Sequence, residues 1–250
     1  MSLSIGCTDW HSGDVIIGGG DSGYRQYVIY AFGRTAKSTL VTLVITGYKP
    51  CGYLEVPQDC KRSDSAIVRA FKSFIIPTKE EKELSGNEGV SYAASKCVDK
   101  ISVVRRNRFR GFDDNTLRRY VKIECTTRYA IRAVGKLFQK IKYVQGSDRG
   151  EPVPKAVDID GITKGYQIVP MYEFGMDPLL RFFHDKQIQP AHWITFRKAY
   201  AKTLKNITNT KTTLAIDWKF VKPREKPPCE IPWVVASFDI ECLSSHGDFP

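Results

Sequence analysis

From Tyr24 to Pro57 the chain reads YRQYVIYAFGRTAKSTLVTLVITGYKPCGYLEVP, with aromatic or β-branched residues alternating with polar ones along most of that length. A period of two puts successive side chains on opposite faces of a strand, so this stretch must build sheet with one face buried. The spacing predicts a β-meander within residues 1–60. One strand runs to a turn at Gly33 and the polar residues 34–39, a second follows, and after a turn at 47–50 the segment CGYLEV is a third, closed by Pro57. Just before it, GGGDSG at residues 18–23 matches the glycine pattern of a dinucleotide-binding loop. That chemistry needs a helix next and an acid about 20 residues on. A strand follows instead, so the glycines are read as a loop.

After Asp64 the period changes to that of a helix. Ser65 can cap it, Ile67, Val68, Phe71, Phe74 and Ile75 form its apolar stripe, and Pro77 stops it. Residues 78–89 are read as a solvated loop. Two strands then flank a basic loop, ISVVRRNRFRGFDDN and LRRYVKIEC. A second helix carries Ala130, Val134, Leu137, Phe138 and Ile141 on one face and Arg128, Arg132, Lys136 and Lys140 on another. Strands and helices in this alternation predict an α+β fold, with residues 61–145 resembling a ferredoxin-like unit. Residues 146–225 form a connecting part, with a short helix capped by Asp177 with Pro178 at its first position, and a strand TLAIDWKFV. Residues 222–232 hold Pro223, Pro227, Pro228 and Pro232, which makes a stiff linker and puts a domain boundary at 225/226.

The formal net charge is +11, and its distribution says more than its size. Residues 61–145 hold 20 basic and 9 acidic side chains, which accounts for the whole excess. Such a balance implies a polyanionic partner. RRNRFRGF offers Arg105, Arg106, Arg108 and Arg110 between aromatics, either a surface that grips phosphates and stacks bases or an exposed basic loop pinned by Phe109 or Phe112. The basic helix stripe is read as a solvated face. Seven scattered cysteines without a C-x-x-C pair suggest reduced thiols in an intracellular protein, and four dispersed histidines give no zinc spacing. The N-terminus lacks a signal-peptide layout, and no apolar run reaches the roughly 18 residues of a membrane span.

The segment SFDIEC, residues 237–242, ends an apolar run in Asp239 and Glu241. Two residues apart on a strand, both acids face one side. Two carboxylates so placed suit Mg²⁺ or Mn²⁺, and a pair of such ions about 3.5–4 Å apart supports phosphodiester cleavage. The spacing alone is shared with solvated strand ends and ion-paired structural carboxylates.

Its context, WVVASFDIECLSSHGDFP, closely resembles the first exonuclease motif of family B DNA polymerases. DWHSGD, the 27–57 stretch and MYEFGMDPLLRFFHDKQIQPAHWI are similar to the N-terminal domain of delta-type enzymes, including those of large nucleocytoplasmic DNA viruses. PCGYLEVP departs from the pattern, with Cys51 and Gly52 where relatives carry aromatics. The resemblance implies a β-barrel plus ferredoxin-like N-terminal domain over 1–225 and the first strand of an RNase H-like exonuclease over 226–250. It implies that Asp239 and Glu241 hold the metal ions of a proofreading 3′ to 5′ exonuclease. Primer-template DNA, the remainder of a polymerase chain and a sliding clamp are the implied partners, with no membrane, at a viral factory in the host cytoplasm or in the nucleus. The family's remaining exonuclease and palm motifs would lie beyond Pro250, so the expectation is a fragment that neither synthesises nor proofreads DNA alone. The alternative is an autonomous single-stranded-DNA-binding or accessory protein derived from a broken polymerase gene.

Overall fold

The structure, a computed structural model, describes residues 2–17, 24–85, 87–107, 116–138, 141–143, 152–154, 159–163, 169–204, 210 and 212–230. Its larger sheet draws on both ends of this range. β1 (Ser2–Ile17), β2 (Tyr24–Arg34) and β3 (Leu40–Thr46) are joined by β10 (Trp193–Arg197), β11 (Lys202–Leu204), β12 (Thr212–Asp217) and β13 (Lys222–Pro223) in the order β11-β12-β3-β2-β1-β10-β13. Only the β12/β3 pair is parallel. The alternating residues Tyr27, Ile29 and Ala31 on β2, and Val41, Leu43 and Ile45 on β3, face a core completed by Ile5, Ile194, Phe196, Leu214 and Ile216.

The connections force this sheet to curl. β10 and β11 stand five strand spacings apart, about 24 Å in a flat sheet at about 4.8 Å each. Arg197 and Lys202 are five residues apart, a reach of at most about 18 Å. β12 and β13 repeat the constraint, because they too stand five spacings apart and Asp217 and Lys222 are again five residues apart. Both links are single 3-10 turns, Lys198–Tyr200 and Trp218–Phe220, and their rings Tyr200 and Phe220 stack at 4.2 Å.

The smaller sheet has the order β5-β6-β4-β9, from β5 (Val98–Arg106), β6 (Arg118–Cys125), β4 (Cys51–Glu55) and β9 (Met171–Tyr172), every pair antiparallel. α1 (Asp64–Ile75) and α4 (Arg128–Phe138) bring Ile67, Phe71, Ile75, Val134, Leu137 and Phe138 to a second core with Leu54, Val121 and Ile123. The short helices α2 (Lys79–Ser85) and α3 (Tyr92–Ser95) lie between α1 and β5, and β7 (Ile141–Tyr143) pairs with β8 (Pro152–Pro154). Among the described residues no helix is long and apolar enough to cross a membrane.

Several expectations are corrected. CGYLEV is no third meander strand, because β4 leaves for the smaller sheet and β2 takes β1 as its outer neighbour. The chain turns off at Gly47, whose φ of 78° suits glycine. Gly33 makes no turn. It lies inside β2, where a Cβ would come within 2.2 Å of the Gly6 carbonyl oxygen. Ser63, not Ser65, caps α1, its hydroxyl accepting from the Ala66 amide at 3.3 Å. Residues 78–89 are not all loop: Thr78 and Glu81 cap α2 reciprocally, at 2.7 and 3.2 Å. Ile141 lies in β7 rather than in α4. Lys222 and Pro223 of the supposed linker are strand, and the Arg224 amide donates to the Trp193 carbonyl at 2.9 Å.

Two devices join the units. The β1/β2 hairpin reaches over α4, where the Asp14 carboxylate accepts from the amides of Arg128 at 2.7 Å and Tyr129 at 2.9 Å. Thr127 Oγ1 takes the Ala130 amide at 3.1 Å, so a distant carboxylate and a local hydroxyl share the cap. The second device is α5 (Pro178–Lys186), capped by Asp177 with Pro178 following, as its sequence predicts. Phe174, just before it, is buried in the smaller unit's core, and Phe182 on it is buried in the larger unit's. A Cβ on Gly52 would meet three ring atoms of Phe174 at 2.8 Å, and one on Gly135 would meet that side chain at 3.0 Å. The missing side chain at Gly52 is thus replaced by a ring from elsewhere in the chain.

Replacing Asp14 by Ala should cost about 1–2 kcal/mol in urea unfolding, since it removes two cap bonds and a charge at a helix N-terminus. Gly52→Ala should destabilise by about 1–3 kcal/mol through overpacking. In combination with Phe174→Leu its added cost should shrink, an interaction a double-mutant cycle would measure.

Candidate nucleic-acid interface

The β5/β6 hairpin sets arginine opposite arginine, Arg105 across from Arg119 and Arg106 from Arg118. Like charges placed directly opposite repel, so each pair needs neutralising partners. Asp64 in the first turn of α1 serves one pair, with Oδ2 3.2 Å from Arg105 and Oδ1 3.6 Å from Arg119. Arg119 also donates to the carbonyls of Arg62, at 2.8 Å, and Cys60. Arg118 donates to Glu55 Oε1 at 3.1 Å with both side chains largely covered, and Tyr172 donates to the other Glu55 oxygen at 2.9 Å. Three of the four arginines are therefore structural cations.

Arg106 is different. It is exposed, has no ion pair among the described residues, and lies 6.0 Å from the centre of the Tyr53 ring. Tyr53 faces away from α1 and α4, on the side that bears Arg106, Arg118, Tyr120 and Lys122, and Arg181 of α5 lies 5.8 Å from the same ring. Burial pushes the Tyr53 hydroxyl up, so it stays a neutral donor or acceptor. Burial works against the Arg181 charge, but the Asp185 and Glu173 carboxylates outweigh it and hold the guanidinium charged. Of the predicted set, Arg106 is thus the described arginine that is exposed without an ion pair among the described residues. Arg105 is engaged with Asp64, and Arg108 and Arg110 lie outside the described residues.

The helix stripe divides similarly. Arg128 is an ion-pairing residue, 3.4 Å from Asp177, whereas Arg132 and Lys136 are exposed and Lys140 lies outside the described residues. Asp239 and Glu241 also lie outside them. Among the described residues no group of three or more His, Cys, Asp or Glu side chains is placed to hold a metal ion.

Comparison with known proteins supplies what these side chains leave open. Residues 169–250 match the family model described as DNA polymerase family B, exonuclease domain. The chain is 29% identical to a DNA polymerase of Phaeocystis pouchetii virus across 90% of its own length and 20% of that protein's. It is 22% identical to the DNA polymerase delta catalytic subunit of Drosophila melanogaster across 89% of its length and 19% of that protein's. It is related to the N-terminal portion of family B DNA polymerases. The family B polymerase of the archaeon Pyrobaculum calidifontis has the same fold over 90% of the chain and 21% of its own, with a TM-score of 0.50 at 15% identity. The chain thus spans about a fifth of the length of these polymerases. The matched family segment opens just before β9 and so includes α5 and the strands that close the larger sheet.

Arg118→Gln should lower unfolding stability by about 1–3 kcal/mol, because it leaves Glu55 covered with its charge partner gone. Arg106→Gln should stay within about 0.5 kcal/mol of the parent, as expected of an exposed cation without an ion pair. Urea titration of the two variants side by side checks the division.

Proposed function

We propose that this chain is the N-terminal portion of a replicative DNA-directed DNA polymerase with 3′ to 5′ proofreading activity, in which Asp239 and Glu241 supply the first two carboxylates of the exonuclease metal site. The observation that carries this reading is the match of residues 169–250 to the family B exonuclease domain, which includes the Phe238–Cys242 run. Two acids separated by Ile240 on one strand share a side, and hard divalent cations favour such paired oxygens. Mg²⁺ or Mn²⁺ bound there would activate water and stabilise the leaving oxygen. The chain's own part is to supply Asp239 and Glu241, so that further carboxylates of the same enzyme can complete the set.

The architecture supports the finer reading. A larger sheet whose edges are drawn together by two short links fits a β-barrel, and the order β5-β6-β4-β9 with helices on one face fits a ferredoxin-like unit. The Arg224 amide donates to the Trp193 carbonyl, which supports keeping the chain up to 225 with the larger sheet and reading 226–250 as the start of the exonuclease domain. Primer-template DNA and the remainder of the polymerase are the partners this reading requires, with Arg106 exposed on the side of the smaller sheet opposite α1 and α4.

In a polymerase that joins these residues to the remaining exonuclease and palm motifs, Asp239→Ala with Glu241→Ala should abolish Mg²⁺-dependent removal of a mispaired 3′ end. Nucleotide addition should be largely retained. Gel assays of primer trimming and extension decide the matter, and equal loss of both activities would make the acids structural.

A further inference from the structure

The two links that close the larger sheet carry more exposed aromatic surface and more charge than closure needs. Tyr200 and Phe220 stack at 4.2 Å with an interplanar angle of 26°, yet remain 45% and 41% exposed. Closure is already served by Val221, which is fully buried, and Ala201, which packs against the same core. Around the rings the chain places Lys198 and Lys202 on one link and Lys219 and Lys222 on the other, all exposed and none with an ion pair among the described residues. Lys186 comes in from α5, its Nζ 3.2 Å from the Lys219 carbonyl and 4.6 Å from the centre of the Trp218 ring.

The nearby carboxylates have other partners as well. Asp217 caps the second 3-10 turn through the Lys219 amide at 2.9 Å, and Asp185 serves Arg181 and Tyr48. Burial and then Lys222 lower the affinity of Lys186 for its proton, against a smaller opposing pull from Asp217 and Asp185. Exposed lysines without ion pairs among the described residues, beside two half-exposed rings, complement a chain that alternates phosphates with flat, unstacked bases, which is a single strand and not a duplex.

We propose that this seam is a platform for single-stranded DNA, with bases stacking on Tyr200 and Phe220 and phosphates held by Lys198, Lys219 and Lys222. The choice of DNA rests on the polymerase reading; the platform itself rests on the rings and lysines. It is separate from the hairpin surface at Arg106 and was not evident in the sequence, where the two links lie 20 residues apart.

The test is fluorescence anisotropy of a labelled oligo(dT) with the whole chain across a salt series. Tyr200→Leu/Phe220→Leu keeps the seam apolar and should weaken binding at least fivefold, roughly the lower limit for losing one stacked base. Lys198→Gln/Lys219→Gln/Lys222→Gln changes exposed positions only. It should lower the slope of log affinity against log salt by about 2, at about 0.7 per single-strand phosphate contact. A duplex of equal length should bind more weakly, and oligo(U) no more tightly than oligo(dT).

Parent-like affinity and slope in the triple variant overturn the platform even if the leucine pair unfolds. So does loss of binding confined to Arg106→Gln, or duplex binding as tight as that of the single strand. Tighter binding of oligo(U) overturns the choice of DNA. Because the assay involves neither Asp239 nor Glu241, its outcome is independent of the primer-trimming result.

Discussion

The arrangement of the two units turns on one guanidinium. Arg181 donates to both oxygens of Glu173 at 2.6 Å, lies 3.0 Å from Asp185 and reaches the Tyr53 hydroxyl at 3.3 Å. Glu173 adopts φ 66°, a conformation that an ordinary side chain takes only when its surroundings impose it. That kink sends Phe174 into the core of the smaller unit while α5 carries Phe182 into the other. With the side chains of Arg181 and Glu173 only 20% and 12% exposed, removing either would leave a charge poorly hydrated and uncompensated. The ion pair therefore fixes one helix relative to two cores, and β10 follows directly from that helix.

This economy also explains why a strongly basic segment does not amount to one basic surface. Asp64, Glu55 and Asp177 pair with Arg105, Arg119, Arg118 and Arg128 within the fold, Asp64 serving two of the four. Cations without an ion pair among the described residues include Arg106 on one side of the smaller sheet, Arg132 and Lys136 on α4, and the lysines where the larger sheet closes. Net charge by segment gives the size of the excess but not which cations are already paired within the fold.

Much of the fold could be read from local pattern. β2, β3, β5, β6 and α4 follow their apolar periods, and the Asp177-Pro178 start of α5 is as its residues demand. What escaped depends on partners remote in sequence. Gly33 reads as a turn until Gly6 is known to lie against it, and β1 is too polar along its length to announce a strand whose neighbours are β2 and β10. The Thr78-Glu81 capping box was visible in the residues but masked by the polarity around it. Asp14 and Arg181 carry no local signal, since a cap or an ion pair between units is a property of the assembled chain. The carboxylates of SFDIEC were legible as a family motif, and they lie outside the described residues.

The curled sheet also sets the timing of synthesis. β1 begins at Ser2 and bonds to β10, with Ser4 and Thr195 in side-chain contact across 191 residues of chain. A ribosome adding about 5–20 residues per second leaves that edge without its partner for roughly 10–40 s. For that interval the nascent polypeptide presents an open strand to solvent and to its neighbours, a template for mispairing that persists until β10, Trp193–Arg197, has emerged. Chaperone demand during translation is thus written into the order of the strands.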